Sequence, residues 1–164
     1  MRALLLSGTA AFAVTLAVAP AYAGPATPTP ITPTSQTTAF AGINWTFGAG
    51  KSSPELIIGV AQKQAGWEAV SGDCTTDISG AKASLHFALN GGIAFSKAKV
   101  TGLFGTAATQ GEVGGGFGTG GAFAVAGLNG DYYHLGADFG GAGVEGYVGV
   151  HSIGPFTVTC ADPD

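Results

Sequence analysis

The sequence predicts an all-β chain folded as an eight-stranded antiparallel up-and-down barrel. Three observations carry this expectation. Apolar residues recur with period two from residue 39 onward, and glycine-rich clusters separate the alternating stretches. No stretch repeats with the 3.6-residue period of a helix.

The first 38 residues read differently. Met1-Arg2 supplies one positive charge, an apolar run extends from Ala3 to about Pro20, and Ala21-Tyr22-Ala23 fits a small-x-small cleavage pattern. Residues 1–23 therefore read as a secretory signal peptide. Residues 24–38, with Pro25, Pro28, Pro30 and Pro33, have little to bury and read as an extended linker. Residues 39–164 form the single expected domain.

The strands follow in order. Ile43, Trp45 and Phe47 share one face, with Asn44 and Thr46 on the other. Glu55–Lys63 opposes Leu56, Ile58 and Val60 to Ile57, Gly59, Ala61 and Lys63. Lys82–Leu89 opposes Ala83, Leu85, Phe87 and Leu89 to Lys82, Ser84, His86 and Ala88. Asn90-Gly91-Gly92 suits the positive backbone angles of a tight hairpin and leads into Phe95–Leu103, with Lys97, Lys99 and Thr101 on one face. Gln110–Phe117, Ala122–Leu128, Tyr132–Phe139 and Val144–His151 complete the set, with short glycine-bearing turns between them. Closing the meander removes the exposed edges of an open sheet.

Only two cysteines occur, Cys74 and Cys160, and an exported chain meets an oxidising compartment, so one disulfide between them is expected. Cys74 lies between the second and third strands and Cys160 after the eighth, which an up-and-down array brings to the same end.

Pairing the strands across their turns sets Lys97 near His86 and Lys99 near Ser84. The same pairing brings Glu112 near Thr101 and diagonal to Lys99, Asp138 beside Glu145, and Tyr132 beside His151. With Lys63, Lys82 and Glu55 added, the polar faces hold four lysines against four acids. The other face gathers residues such as Trp45, Leu85, Val113, Phe117, Phe123, Val125, Phe139 and Val148. A soluble barrel would bury this apolar set, whereas a membrane barrel would turn it outward and enclose the balanced charges.

Composition favours the second arrangement. Charged residues make up 10% of the chain, against roughly 25–35% for a water-facing surface. Strand lengths near nine to eleven residues suit a tilted bilayer span, and small residues with paired charges can fill an eight-stranded interior.

With its signal peptide, dyad alternation, glycine-rich turns and charged lumen, the segment 39–156 resembles the small eight-stranded outer-membrane barrels of Gram-negative bacteria, of the OmpA-transmembrane and OmpX type. The resemblance implies an exported protein in outer-membrane lipid, with a structural or porin-like role. Such barrels usually end on an aromatic residue, whereas this chain continues past Phe156 to Asp164, and its Gly118–Gly120 and Gly140–Gly143 turns are short for outward loops. An exported soluble barrel or sandwich, periplasmic or secreted, that binds a small apolar ligand or a protein partner is the alternative. A fibre-forming glycine-rich β protein is a third reading.

No catalytic, cofactor or metal site is expected. Asp138 and Glu145 resemble the carboxylate pair of a glycosidase, but a charge network with Lys97 or Lys99 accounts for them. His86, His134 and His151 lack metal-ligand spacing. Gly114–Gly120 lacks the Lys-Ser/Thr of a phosphate loop, and Trp67 and Glu68 read as part of a loop pinned by the disulfide and anchored by Trp67. Removing residues 1–23, and Arg2 with them, leaves five lysines against ten acids, which disfavours nucleic acid.

Overall fold

A computed structural model describes residues 35–48, 51–67 and 74–157. The residues read as a signal peptide, most of those read as a linker and Cys160 of the expected disulfide lie outside those residues, as does the Cys74 side chain. Eight strands form one closed antiparallel barrel in sequence order, with β8 pairing back onto β1. They are β1 (Ser35–Gly48), β2 (Lys51–Trp67), β3 (Cys74–Ala88), β4 (Ala94–Thr106), β5 (Thr109–Gly118), β6 (Gly121–Gly130), β7 (Tyr133–Gly140) and β8 (Gly143–His151). Each expected strand is present. The first four are longer than the alternation indicated: β1 begins at Ser35, inside the segment read as linker, and β2 and β3 take in Trp67 and Cys74, which were read as loop.

Register fixes the barrel's shape. Stepping between partners leads from Thr38 through Ala61, Lys82, Thr101, Gly114, Val125, Asp138 and Glu145 back to β1 at Gly48, ten residues beyond the start. A stagger of that size over eight strands tilts them near the upper end of roughly 35–45° from the barrel axis.

Side-chain period two then sorts the chain into an inside and an outside. Outside are Ile43, Trp45, Phe47, Leu85, Val113, Phe117, Phe139 and Val148, all solvent-exposed, with Val100 66% and Val150 61% accessible. Inside are Asn44, Glu55, Lys63, Lys82, Lys97, Lys99, Glu112 and Asp138, all buried. Polarity is thus the inverse of a soluble barrel.

β6 departs from the expected faces. Phe123 and Val125 were expected on the apolar face, but they point inward, with Val125 buried, while Ala122, Ala124, Ala126 and Leu128 point out. The two-residue turn Thr119-Gly120 joins Gly118 to Gly121, so Phe117 lies opposite Ala122 and Phe123 opposite Gly116. Hydrophobicity alone favoured the bulky residues for the outer face. The lumen takes them because their partners Gly116 and Gly114 leave space there.

The fourth strand carries a bulge. Ser96 is the extra residue between the His86–Lys97 and Phe87–Phe95 pairs, so Ser96 and Lys97 both turn toward the interior and Phe95 turns out.

Several glycines are explained by aromatic rings on the neighbouring strand. A β-carbon at Gly59 would stand 2.7 Å from the Phe40 ring, and one at Gly111 would stand 2.7 Å from Phe104. Each ring is the direct cross-strand partner of its glycine. The same holds for Phe123 over Gly116 inside and Phe47 over Gly146 outside. Placing an aromatic ring over a strand glycine covers backbone that the glycine would otherwise leave bare.

After β8 the chain re-enters the barrel. Ile153 packs with Phe40, Ile57 and Ala61, and Phe156 packs with Ala65 and Ile78. Three backbone hydrogen bonds hold this tail and the turn beside it: Tyr132 N–H to Ile153 O at 2.8 Å, Ser152 N–H to Ala41 O at 2.9 Å and His151 N–H to Tyr132 O at 3.0 Å. Tyr132, expected as a strand residue beside His151, sits instead in the turn with φ 68° while keeping that backbone bond. Residues other than glycine rarely adopt this left-handed conformation.

Candidate functional site

The barrel offers two candidate sites: the charged lumen and the apolar belt around it. In the lumen, β4 contributes Lys97 and Lys99 at alternate positions of one strand, so both ammonium groups project inward. They meet Asp138 of β7 across the interior, Lys97 at 2.9 Å and Lys99 at 2.6 Å. β4 and β7 are not neighbours in the sheet, so these ion pairs cross the lumen and tie opposite walls together. Lys97 also reaches Glu145 at 3.3 Å, a residue at the barrel rim whose side chain is 41% accessible.

Glu55 of β2 anchors the same end. It accepts a hydrogen bond from the Ser96 hydroxyl at 2.8 Å, lies 3.1 Å from His86 Nδ1 and stands 3.8 Å from Lys97. The Ser96 contact depends on the β4 bulge, which brings that hydroxyl inward.

A second cluster lies deeper. Lys82 of β3 pairs with Glu112 of β5 at 2.6 Å, and its ammonium also donates to Asn129 Oδ1 at 3.2 Å. Thr101 donates to the other Glu112 oxygen at 2.8 Å. Gln110 accepts from Asn129 and donates to the backbone oxygens of Thr106 and Ala107, closing the cluster against the wall. Buried charges are costly unless paired and hydrogen-bonded, and these are.

Rings fill the remaining lumen. Lys99 Nζ stands 3.8 Å from the Tyr147 ring centroid and 5.9 Å from that of Phe123, both within cation–π range. Tyr147 in turn fits over Gly127 and Gly136, where β-carbons would lie 2.8 and 2.6 Å from its hydroxyl. The space left among Phe40, Ile57, His86, Glu112 and Tyr147 is about 10 Å³, roughly the least that admits one water. An apolar ligand has no room there.

The expected network residues thus separate. Lys82 and Glu112 form one cluster and Lys97, Lys99, Asp138 and Glu145 another, while the cross-strand neighbours His86–Lys97, Ser84–Lys99 and Asp138–Glu145 are those expected from the strand pairing. Lys63 is inward and buried too, but its Nζ has no hydrogen-bond partner among the described residues. Asp138 and Glu145, considered as a glycosidase pair, are held by lysines. His134 and His151 rings lie 5.2 Å apart, and His86 belongs to the Glu55 cluster. Among the described residues, no three metal-ligating side chains gather.

Tyr147, Asn129 and Gln110 were missed as network members. All three fall on inward parity, so the alternation already places them. Their contacts cross between strands distant in sequence and leave no local signal. The entry of Ile153 and Phe156 into the barrel had a signal, two apolar residues beyond the last strand, but no period to orient them.

The second candidate site is the outer belt. At the end bearing the 119–120 and 141–142 turns it carries Trp45, Phe47, Phe95, Phe117 and Phe139, all exposed. Toward the opposite end stand Phe104, Tyr132 and Tyr133, with aliphatic residues such as Val100, Val113 and Val148 between the two groups. β5 to β8 hold 8–10 residues each, and at the observed tilt they rise roughly 20–25 Å. Among the described residues no helix is long and apolar enough to cross a membrane.

Comparison with protein-family models, with curated proteins and with solved structures finds no match.

Proposed function

We propose that this chain is a small bacterial outer-membrane β-barrel with a structural role, its outer belt in lipid and its lumen sealed by its own side chains. One observation carries the reading: the inversion of polarity, with Val100, Val113, Phe117 and Val150 exposed outside and three ion-paired lysines buried inside. Water on both faces would make such an arrangement unfavourable, because a continuous apolar surface far larger than the few hundred Å² typical of a monomer would stay wetted. Lipid removes that cost. The aromatic residues toward both ends suit the two interfaces of a bilayer, and the roughly 20–25 Å strand rise is close to the apolar band of such barrels.

A free solute path does not fit a barrel whose mid-section leaves about 10 Å³ among Phe40, Ile57, Glu112 and Tyr147, so within this reading the role is structural rather than porin-like. Catalysis is not part of it, since the carboxylates are occupied by lysines.

Trp45, on the outer face, reports the environment. In a Trp67→Phe background refolded into bilayers, brominated acyl chains are expected to quench Trp45 strongly and aqueous iodide weakly. Recovery of the mature chain as a water-soluble monomer, with Trp45 open to iodide, would reject the proposal. Recovery as a soluble complex would instead assign the belt to a protein partner.

A further inference from the structure

The lumen lysines are not equivalent. Lys82, Lys97 and Lys99 each contact a carboxylate within 3 Å. Lys63 is 4% accessible, and its ammonium has neither a hydrogen bond nor an ion pair among the described residues. It lines a cavity of about 130 Å³ at the tail end of the barrel, roofed by Ile153, Gly154 and Pro155 and walled on β1 by Gln36 and Thr38. Asp131 lies in the β6–β7 turn and acts on Lys63 through space without forming an ion pair.

An ammonium buried without a partner at hydrogen-bonding distance is costly in a protein interior. Here it borders a space several times the volume of one water, beside a hydroxyl and an amide that can donate hydrogen bonds. The rest of the wall is the apolar surface of Ala61, Ile153 and Pro155.

We infer that this cavity is a binding site for a short aliphatic monocarboxylate, with its carboxylate on Lys63 and its alkyl chain against Ile153 and Pro155. One cation with two neutral donors, already facing the charge of Asp131, suits a single further negative charge and disfavours a doubly charged phosphate. The apolar roof favours a ligand with a few carbons over a bare inorganic anion. The inference holds whether lipid or protein covers the outer belt, because the cavity opens to the lumen end.

The test uses the folded full chain in detergent micelles, with carbon-13-labelled butyrate titrated at constant ionic strength and acetate, chloride and inorganic phosphate in parallel. Expected is saturable butyrate binding, tighter than that of acetate or phosphate. It should weaken about tenfold or more in Lys63→Met. Lys63→Met removes an unpaired buried charge and should keep the barrel, as circular dichroism would verify. Thr38→Phe, which fills the cavity and leaves Lys63 in place, should abolish binding as well. Binding that never saturates, that survives both substitutions as an adventitious ion only, or that is tighter for phosphate overturns the assignment.

Discussion

Lys99 of β4 and Asp138 of β7 meet across the barrel interior, Nζ to Oδ1 at 2.6 Å, with both side chains buried. Asp138 also holds Lys97 through its other oxygen at 2.9 Å. A single carboxylate therefore compensates two ammonium groups from the opposite wall.

Replacing Asp138 with Asn should leave Lys99 without a carboxylate partner and Lys97 with only Glu145 and the more distant Glu55. A buried pair broken on one side costs about 3–5 kcal/mol, and Asp138→Asn is expected to lower the urea midpoint of the folded barrel accordingly. Adding Lys99→Met should recover part of the loss. Glu145→Gln at the half-exposed rim should cost less than about 1 kcal/mol. Equal effects of Asp138→Asn and Glu145→Gln would contradict the central role of Asp138.

Two glycines should respond differently to alanine. At Gly136 a β-carbon would meet the Ala126 carbonyl oxygen at 2.5 Å, the Tyr147 hydroxyl at 2.6 Å and the Gly127 α-carbon at 2.7 Å. Two of these are backbone atoms and cannot swing aside, so Gly136→Ala should destabilise by about 1–3 kcal/mol. At Gly146 the obstacle is the Phe47 ring at 2.5 Å, on the outer face and free to rotate outward. Gly146→Ala should cost under about 1 kcal/mol. Equilibrium unfolding of the pair measures the difference.

The tail should behave as a separable closure. Ile153→Ala and Phe156→Ala each empty an apolar cluster inside the barrel mouth, at about 2–5 kcal/mol apiece. Amide exchange localises the effect. The Tyr132 amide, which donates to Ile153 O, should exchange faster in Ile153→Ala. The ladder amide of Val113, in mid-barrel, should be unchanged in the same spectrum.

Charge on the belt should oppose insertion. Val100 is 66% accessible and lies in mid-strand on β4. Val100→Arg should reduce the stability of the bilayer-inserted barrel by about 2–4 kcal/mol if the site lies near the midplane. Folding titrations into vesicles measure this. An unchanged midpoint would place Val100 outside lipid.

Much of the architecture was legible because strand parity is a local property. The alternation of Ile43, Trp45 and Phe47 with Asn44 and Thr46 sorted β1 into two faces, the sparse charge favoured the polar face for the interior, and the short turns carried that parity onward. It failed at β6, where Phe123 and Val125 were sorted by hydrophobicity instead of by the parity of the Thr119-Gly120 turn. The Ser96 bulge was invisible for a different reason, since one added residue leaves no mark in composition. The Lys99–Asp138 contact could be anticipated only as two patches facing each other. Choosing which lysine meets which acid requires the ten-residue stagger, and stagger is a property of the closed barrel alone.

The docked tail also dictates an order of events. Its contacts draw on β1 through Ala41, on the β6–β7 turn through Tyr132 and on β2 through Ala61, so its berth does not exist until strands from both halves of the chain have converged. The β1–β8 seam joins Gly42 to His151, positions far apart in sequence, and such non-local pairing forms late because loop closure must precede any gain in contacts. The berth is complete only once that seam has closed. Ile153 and Phe156 act as a latch whose full set of contacts belongs to the finished barrel, so their docking rewards completion.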